Sequence, residues 1–274
     1  MKKVILSAFA DEAGEDFDIQ LEALCRNTMQ GIEIRSVEGE NVSKISLEKA
    51  KELKKRLDDK GLVCWSIGSP IGKIALDRAA EHREVLRHVA EVAHILGTEK
   101  VRMFSYHMKP WETEENENRV IDELNALQEI AASEKLLLCH ENEKGIYGFN
   151  ASNCLKIMQR VPGMKAVFDP ANFVQCGVNT LYAWEMLQKH VIYLHAKDAK
   201  ADGTVVPCGA GWGYVPEIVR QYLALGGEAI TLEPHLFSFS ALKTLEADPK
   251  KRTGYASADE AFDAAANALK AIIA

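Results

Sequence analysis

Leu136-Leu137-Leu138-Cys139-His140-Glu141 is a short apolar run that ends on a carboxylate. After a helical pattern near 151–160, Ala166-Val167-Phe168-Asp169-Pro170 repeats the same arrangement. Strand, helix and strand within about thirty residues make one βα repeat, the crossover that parallel pairing requires.

The repeat continues in both directions. Further strands are expected near 4–10, 31–36, 63–68, 100–106, 191–196 and 228–233. Helical patterns near 16–29, 46–60, 77–96, 114–134, 179–189, 214–225 and 257–273 fill the intervals. An alternating βαβα order dictates a parallel sheet, so the fold class is α/β. Eight strands and eight helices predict a single (β/α)8 TIM barrel, one domain over residues 1–274. A doubly wound open sheet would want a glycine-rich phosphate turn after the first strand, and Ser7 to Gly14 offers none. Ser46 is placed to cap a helix, while Gly61 and Gly97 fall where helices should end. The longest irregular stretch, Leu236 to Ser257, contains Pro249 and Gly254 and reads as a lid, a binding loop or an oligomer contact.

Composition narrows the function classes. The 274 residues carry 33 Lys+Arg against 40 Asp+Glu, a formal net charge of −7 with no basic run. That argues against nucleic acid, whose binding proteins show a basic face. No apolar stretch of about 18 residues is present, so no membrane span is expected. Lys2-Lys3 and the run Val4 to Ala10 are too short for a secretion signal and read as the first strand. Six scattered cysteines without a C-x-x-C pair suit the reduced thiols of the cytoplasm. A homo-oligomer is compatible with all of this.

Barrels of this class work at the C-terminal ends of their strands. The last four strands end on Glu141, Asp169, His195 and Glu233. Adjacent strands bring these tips together. Three carboxylates at one place repel one another unless protonated or neutralised, and a divalent cation neutralises them. Three oxygens and one imidazole favour Mn²⁺ or Mg²⁺, with Co²⁺ possible and Zn²⁺ a weaker fit. A cation there would polarise a carbonyl and steady an enediolate. Glu141 and Glu233, on separated strands, would flank the substrate and exchange a proton beside that carbonyl.

The runs Leu138-Cys139-His140-Glu141-Asn142, Val167-Phe168-Asp169-Pro170, Tyr193-Leu194-His195-Ala196-Lys197-Asp198 and Leu232-Glu233-Pro234-His235 resemble the sugar phosphate isomerase/epimerase family. This group lies within the xylose isomerase-like TIM barrel superfamily. Phe9-Ala10-Asp11-Glu12 and Gly31-Ile32-Glu33-Ile34-Arg35 extend the likeness over essentially the whole chain. The resemblance implies one metal held by Glu141, Asp169, His195 and Glu233, with Glu141 and Glu233 as the proton-shuttling pair. It implies a metal-dependent isomerase or epimerase acting on a small sugar or sugar phosphate. The chain departs from the epimerase pattern at Asn172, where a His is usual, and at Lys197 and Lys200, where the loop usually carries an Arg.

Glu33, Trp65, His107, Asn172 and Lys197 are the expected substrate contacts. Glu33 could instead pair with Arg35, Trp65 and His107 could simply pack, and Asp198 could hold Lys197 in a surface pair. Gly209-Ala210-Gly211-Trp212-Gly213 reads as a flexible turn more readily than as a phosphate site. His82, His88 and His94 share no helix face and read as solvated or capping residues. Three other functions compete. An inosose dehydratase-like lyase, or a hydroxypyruvate isomerase, could use the same ligands. An AP-endonuclease-like phosphodiesterase would need more ligands and a basic groove. A non-catalytic sugar-binding barrel should lack an acid/base carboxylate, and this chain keeps both.

Overall fold

The computed structural model describes residues 4–107, 113–238 and 254–274. Eight parallel strands form the barrel wall: β1 (Ile5–Ala8), β2 (Gly31–Ile34), β3 (Val63–Gly68), β4 (Lys100–Met103), β5 (Leu137–Glu141), β6 (Lys165–Phe168), β7 (Val191–Ala196) and β8 (Ala229–Leu232). From β2 to β8 neighbours in sequence pair in the sheet, and β1 pairs with β8. Between β1 and β2 no ladder forms. There Gln30 bridges the seam, its backbone N–H donating to Leu6 O at 2.9 Å and its side-chain oxygen accepting from Leu6 N at 3.0 Å.

Outside the wall run α1 (Phe17–Arg26), α2 (Leu47–Asp59), α3 (Glu81–Leu96), α4 (Glu114–Ser133), α5 (Ala151–Arg160), α6 (Pro170–Gln175), α7 (Thr180–Leu187), α8 (Val215–Ala224) and α9 (Ala258–Ile273). Their starts follow local chemistry. Ser46, Thr113, Asn150, Asn179 and Ser257 each accept a hydrogen bond from the amide three residues on. Gly97 ends α3 at φ 77°, a conformation that only glycine adopts without strain. On α3 the buried Leu86, Val89, Ala90, Ala93 and Leu96 recur at helical spacing, so one stripe faces the wall. Helix α9 docks on α1, where Arg26 pairs with Asp259 and Asp263 at 2.8 and 3.0 Å.

The main core fills the space between strands and helices. A smaller apolar plug of Trp65, Cys139, Val167, Tyr193 and Ala229 closes the lower barrel interior. Above it the interior turns polar. The expected elements appear, β3 and β7 at their expected lengths and the other strands shorter; not anticipated were α6, the short hairpins Ser36–Val37/Glu40–Asn41 and Asp198–Ala199/Val205–Val206, and the 3-10 turns Ala10–Glu12 and Tyr147–Phe149. Of the irregular stretch Leu236 to Ser257, residues 239–253 lie outside the described residues. Among the described residues no helix is long and apolar enough to cross a membrane.

Candidate active site

Successive residues of a strand point to opposite faces, so β7 turns Tyr193 and His195 inward, with Lys197 next above them. Register then places its neighbours. Phe168 pairs with Leu194, which sets Asp169 beside His195, and Leu232 pairs with Ala196, which sets Glu233 beside Lys197. Glu141 arrives from β5. Donor atoms of Glu141, Asp169, His195 and Glu233 all lie within 4.8 Å of one another, and all four residues are buried. His195 Nδ1 stands 3.0 Å from Glu141 Oε1 and 3.5 Å from Glu233 Oε2. The Lys197 ammonium lies 2.9 Å from both Asp169 Oδ2 and Glu233 Oε2.

The carboxylates are held from outside the cluster. Asp169 Oδ1 accepts from Asn172 N at 2.8 Å, capping α6, and Pro170 suits the first helical position. Asn142 exchanges two 2.9 Å hydrogen bonds with the Asp169 backbone. The Asn172 amide donates to Glu141 Oε1 at 3.2 Å and to Asn142 O at 2.9 Å.

The first strands of the barrel supply cations. Arg35 forks onto Asp11 at 2.9 and 3.0 Å and also reaches Glu12 at 3.1 Å and Glu233 at 3.3 Å. Arg102 approaches Glu141 Oε2 at 3.2 Å and donates to Ser69 O at 3.0 Å. The Phe9 ring lies 4.4 Å from the Arg35 guanidinium and 5.4 Å from that of Arg102, and meets His195 edge-on. Gly68 makes room for that ring, since a Cβ there would stand 2.6 Å from Phe9 Cε1.

The charge balance tests the fit of a metal. Asp11, Glu12, Glu33, Glu141, Asp169 and Glu233 are buried at this end of the barrel against Arg35, Arg102 and Lys197. Burial pushes the Glu12 carboxyl up to about 8 against the pull of Arg35. Burial likewise pushes Asp169 up to about 8, opposed by Lys197 and aided by Glu233 and Glu141. Glu233 is held well below the usual range by Lys197 and His235, although burial works against its charge. His195 rises well above its ordinary value because Glu141 and Glu33 outweigh the cost of burying its charge. Without a metal, protons make up the missing positive charge. A divalent ion supplies the same charge at the same atoms, so the donor set fits one.

A narrow pocket opens above the cluster, with Glu141, Asn172, Lys197 and Glu233 in its wall. Arg35, Lys73, Arg102, Glu143, Lys144 and His235 also line it. Two of the five expected substrate contacts, Asn172 and Lys197, therefore face the cavity.

The other three stand elsewhere. Glu33 is fully enclosed beneath His195, because inward residues of β2 and β7 meet on the barrel axis. Trp65 belongs to the plug at the lower end, under the Lys100 ammonium at 4.4 Å. His107 is exposed and bonds Gly145 O at 2.9 Å.

Asp198 is buried, and its carboxylate accepts from the amides of Ala199, Gly209, Gly211 and Gly213 at 2.8–3.0 Å. The glycine loop is thus clamped, with those amides taken. His82, His88 and His94 each bond the backbone of a neighbouring segment. Sequence reasoning missed Arg102, Lys73, Glu143 and His235 as cavity residues. For Arg102 the signal was present: an arginine inside a barrel strand needs a buried partner.

Several comparisons place this geometry. The profile of the xylose isomerase-like TIM barrel family matches residues 24–271. No curated protein matches the chain in sequence. Among solved structures, the probable 3-DHS dehydratase AsbF of Bacillus anthracis superposes with a TM-score of 0.76 at 17% identity, covering 98% of this chain and 99% of that one. A D-allulose 3-epimerase from Methylomonas sp. gives 0.75 at 13% identity, covering 99% of both chains. A xylose isomerase-like TIM barrel protein from Mycobacterium smegmatis in complex with magnesium gives 0.68 at 13%, covering 100% of this chain and 98% of that one. At such identities the superpositions speak for the fold, and the family rests on the profile match. The chain belongs to the xylose isomerase-like TIM barrel family.

Proposed function

We propose that this protein is a divalent-metal-dependent isomerase or epimerase that moves a proton beside the carbonyl of a small sugar or sugar phosphate. One observation carries the reading: four donor atoms from four consecutive strands meet within 4.8 Å at the floor of a cavity. Glu141, Asp169, His195 and Glu233 would hold the ion, and the oxygen-rich set favours Mn²⁺ or Mg²⁺. When bound, the ion polarises the substrate carbonyl and offsets negative charge that develops on its oxygen.

The chain's own residues do the rest. Glu141 and Glu233 reach the cluster from separated strands, so one would take the proton and the other return one. Arg35 and His235 at 3.3 and 3.1 Å keep Glu233 ionised and ready to accept. Lys197 and Asn172 face the cavity and hold substrate oxygens. Six cysteines without disulfides suit a reducing compartment, so we place the protein in the cytoplasm.

The test is proton exchange. Manganese-loaded protein in heavy water should incorporate deuterium beside the carbonyl of D-allulose, D-fructose or D-fructose 6-phosphate, followed by NMR. No exchange in any of them, or exchange that survives removal of metal by a chelator, defeats the reading.

A second reading has its own support. Lys73, Arg102, Lys144 and Lys197 line the cavity and suit a carboxylate-bearing hydroxyketone, from which loss of the α-proton and the β-hydroxyl releases water. Consumption of 3-dehydroshikimate, with no exchange in the ketoses, selects this lyase.

A further inference from the structure

Glu33 has both oxygens engaged by protein groups and is sealed from the pocket. Its side chain is fully buried. Oε1 accepts from the Tyr193 hydroxyl at 2.9 Å, and Oε2 lies 3.2 Å from His195 Nε2. Beyond Tyr193 the chain continues to Ser66 Oγ at 3.2 Å. On the opposite side of the imidazole, Nδ1 faces Glu141 and Glu233. Phe9 packs edge-on against the ring at 5.2 Å and Tyr193 lies at 5.5 Å, so it cannot turn over without disturbing both.

From this arrangement we infer that Glu33 is a positioning residue: it fixes His195 as the tautomer that ligates through Nδ1 and carries its proton on Nε2. The inference rests on the proposed metal centre. A carboxylate behind a ligating imidazole orients the ring and raises its basicity, so its influence reads out in metal affinity. The Tyr193 hydroxyl steadies the carboxylate in turn. The pair extends the metal centre downward into the barrel, where substrate has no access.

Two measurements test it. Isothermal titration with Mn²⁺ should show Glu33→Gln binding about ten- to hundredfold more weakly than the parent, because the neutral amide keeps the shape and drops the charge. Tyr193→Phe should lose less and serves as the second variant if Glu33→Gln fails to fold. Nitrogen NMR of histidine-labelled, magnesium-loaded protein should show His195 protonated on Nε2. Parent-like affinity in both variants, or a proton on Nδ1, overturns the role of Glu33 while leaving the metal centre standing. A parent chain that binds no Mn²⁺ removes both this inference and the proposed function.

Discussion

The two halves of the barrel mouth are built by different rules. Tips of β5 to β8 contribute one ligand-type residue each: Glu141, Asp169, His195 and Glu233. The side formed by β1 to β4 contributes Arg35 and Arg102, with Phe9 between them and Asp11 and Glu12 behind. One half thus gathers the ligand-type residues, with Lys197 among them, and the other sends guanidinium groups to Glu233 and Glu141 while burying acids of its own, Asp11, Glu12 and Glu33. The contrast teaches that a site of this kind is half ligand and half counter-charge. Losing either half should fail in its own way, through chemistry on one side and through folding on the other.

The largest separation is expected from Glu233→Gln. Deuterium exchange into substrate should fall about 10²- to 10⁴-fold while far-ultraviolet circular dichroism stays that of the parent. Full exchange in that variant would remove Glu233 from the reaction. Arg35→Met attacks the opposite half. It leaves Asp11, Glu12 and Glu233 buried without their shared guanidinium, and unfolding in urea should show a loss of about 3–5 kcal/mol. A loss under about 1 kcal/mol would mean that those charges are neutralised some other way.

Two predictions probe the contact between the halves. Lys197 sits 2.9 Å from two of the ligand carboxylates, so its ammonium and a metal compete for the same negative charge. Lys197→Met should therefore bind Mn²⁺ about tenfold more tightly in calorimetry while turning over more slowly. Weaker binding would show that Lys197 supports the metal. Protons compete as well. Asp169 is pushed up to about 8, so below that pH the metal-free protein holds a proton that the ion must expel. His195, also raised well above its ordinary value, must give up a proton too, so affinity for Mn²⁺ should rise with pH throughout the range 6 to 9, whereas a flat profile there would contradict the shifts.

The smallest effect belongs to the ring between the two arginines. Gly68→Ala puts a methyl 2.6 Å from Phe9 Cε1 and should cost about 1–3 kcal/mol in thermal or urea unfolding. An unchanged stability would show that Phe9 moves freely.

Much of this was legible because a barrel repeats. Each βα unit announces itself by an apolar run followed by helical spacing, and the tip residue can be read off as the first polar group after the run. Asp169 and His195 follow from that rule, and Glu141 stands one place beyond it, after His140. Glu33 obeys the same rule and was misplaced for an instructive reason. It too lies inward near a strand end, but β2 enters the barrel lower relative to the cluster, with a register shift at Ile32/Glu33 in its pairing with β3. Trp65 likewise points inward, one level too deep. The glycine run at 209–213 looked free because nothing local shows that Asp198, some eleven to fifteen residues earlier, takes its amides.

The order of elements, the parallel wall and the four ligand-type tips follow from the amino-acid sequence alone, since hydrophobic periodicity and the two-residue alternation of a strand are local properties. Depth and partnership belong to the folded chain. Strand stagger decides which inward side chains meet, and burial raises the energy of an unmatched charge until some distant residue answers it. Hence Arg35 serves Glu233 across 198 positions of sequence, and Glu33 stands behind His195 across 162.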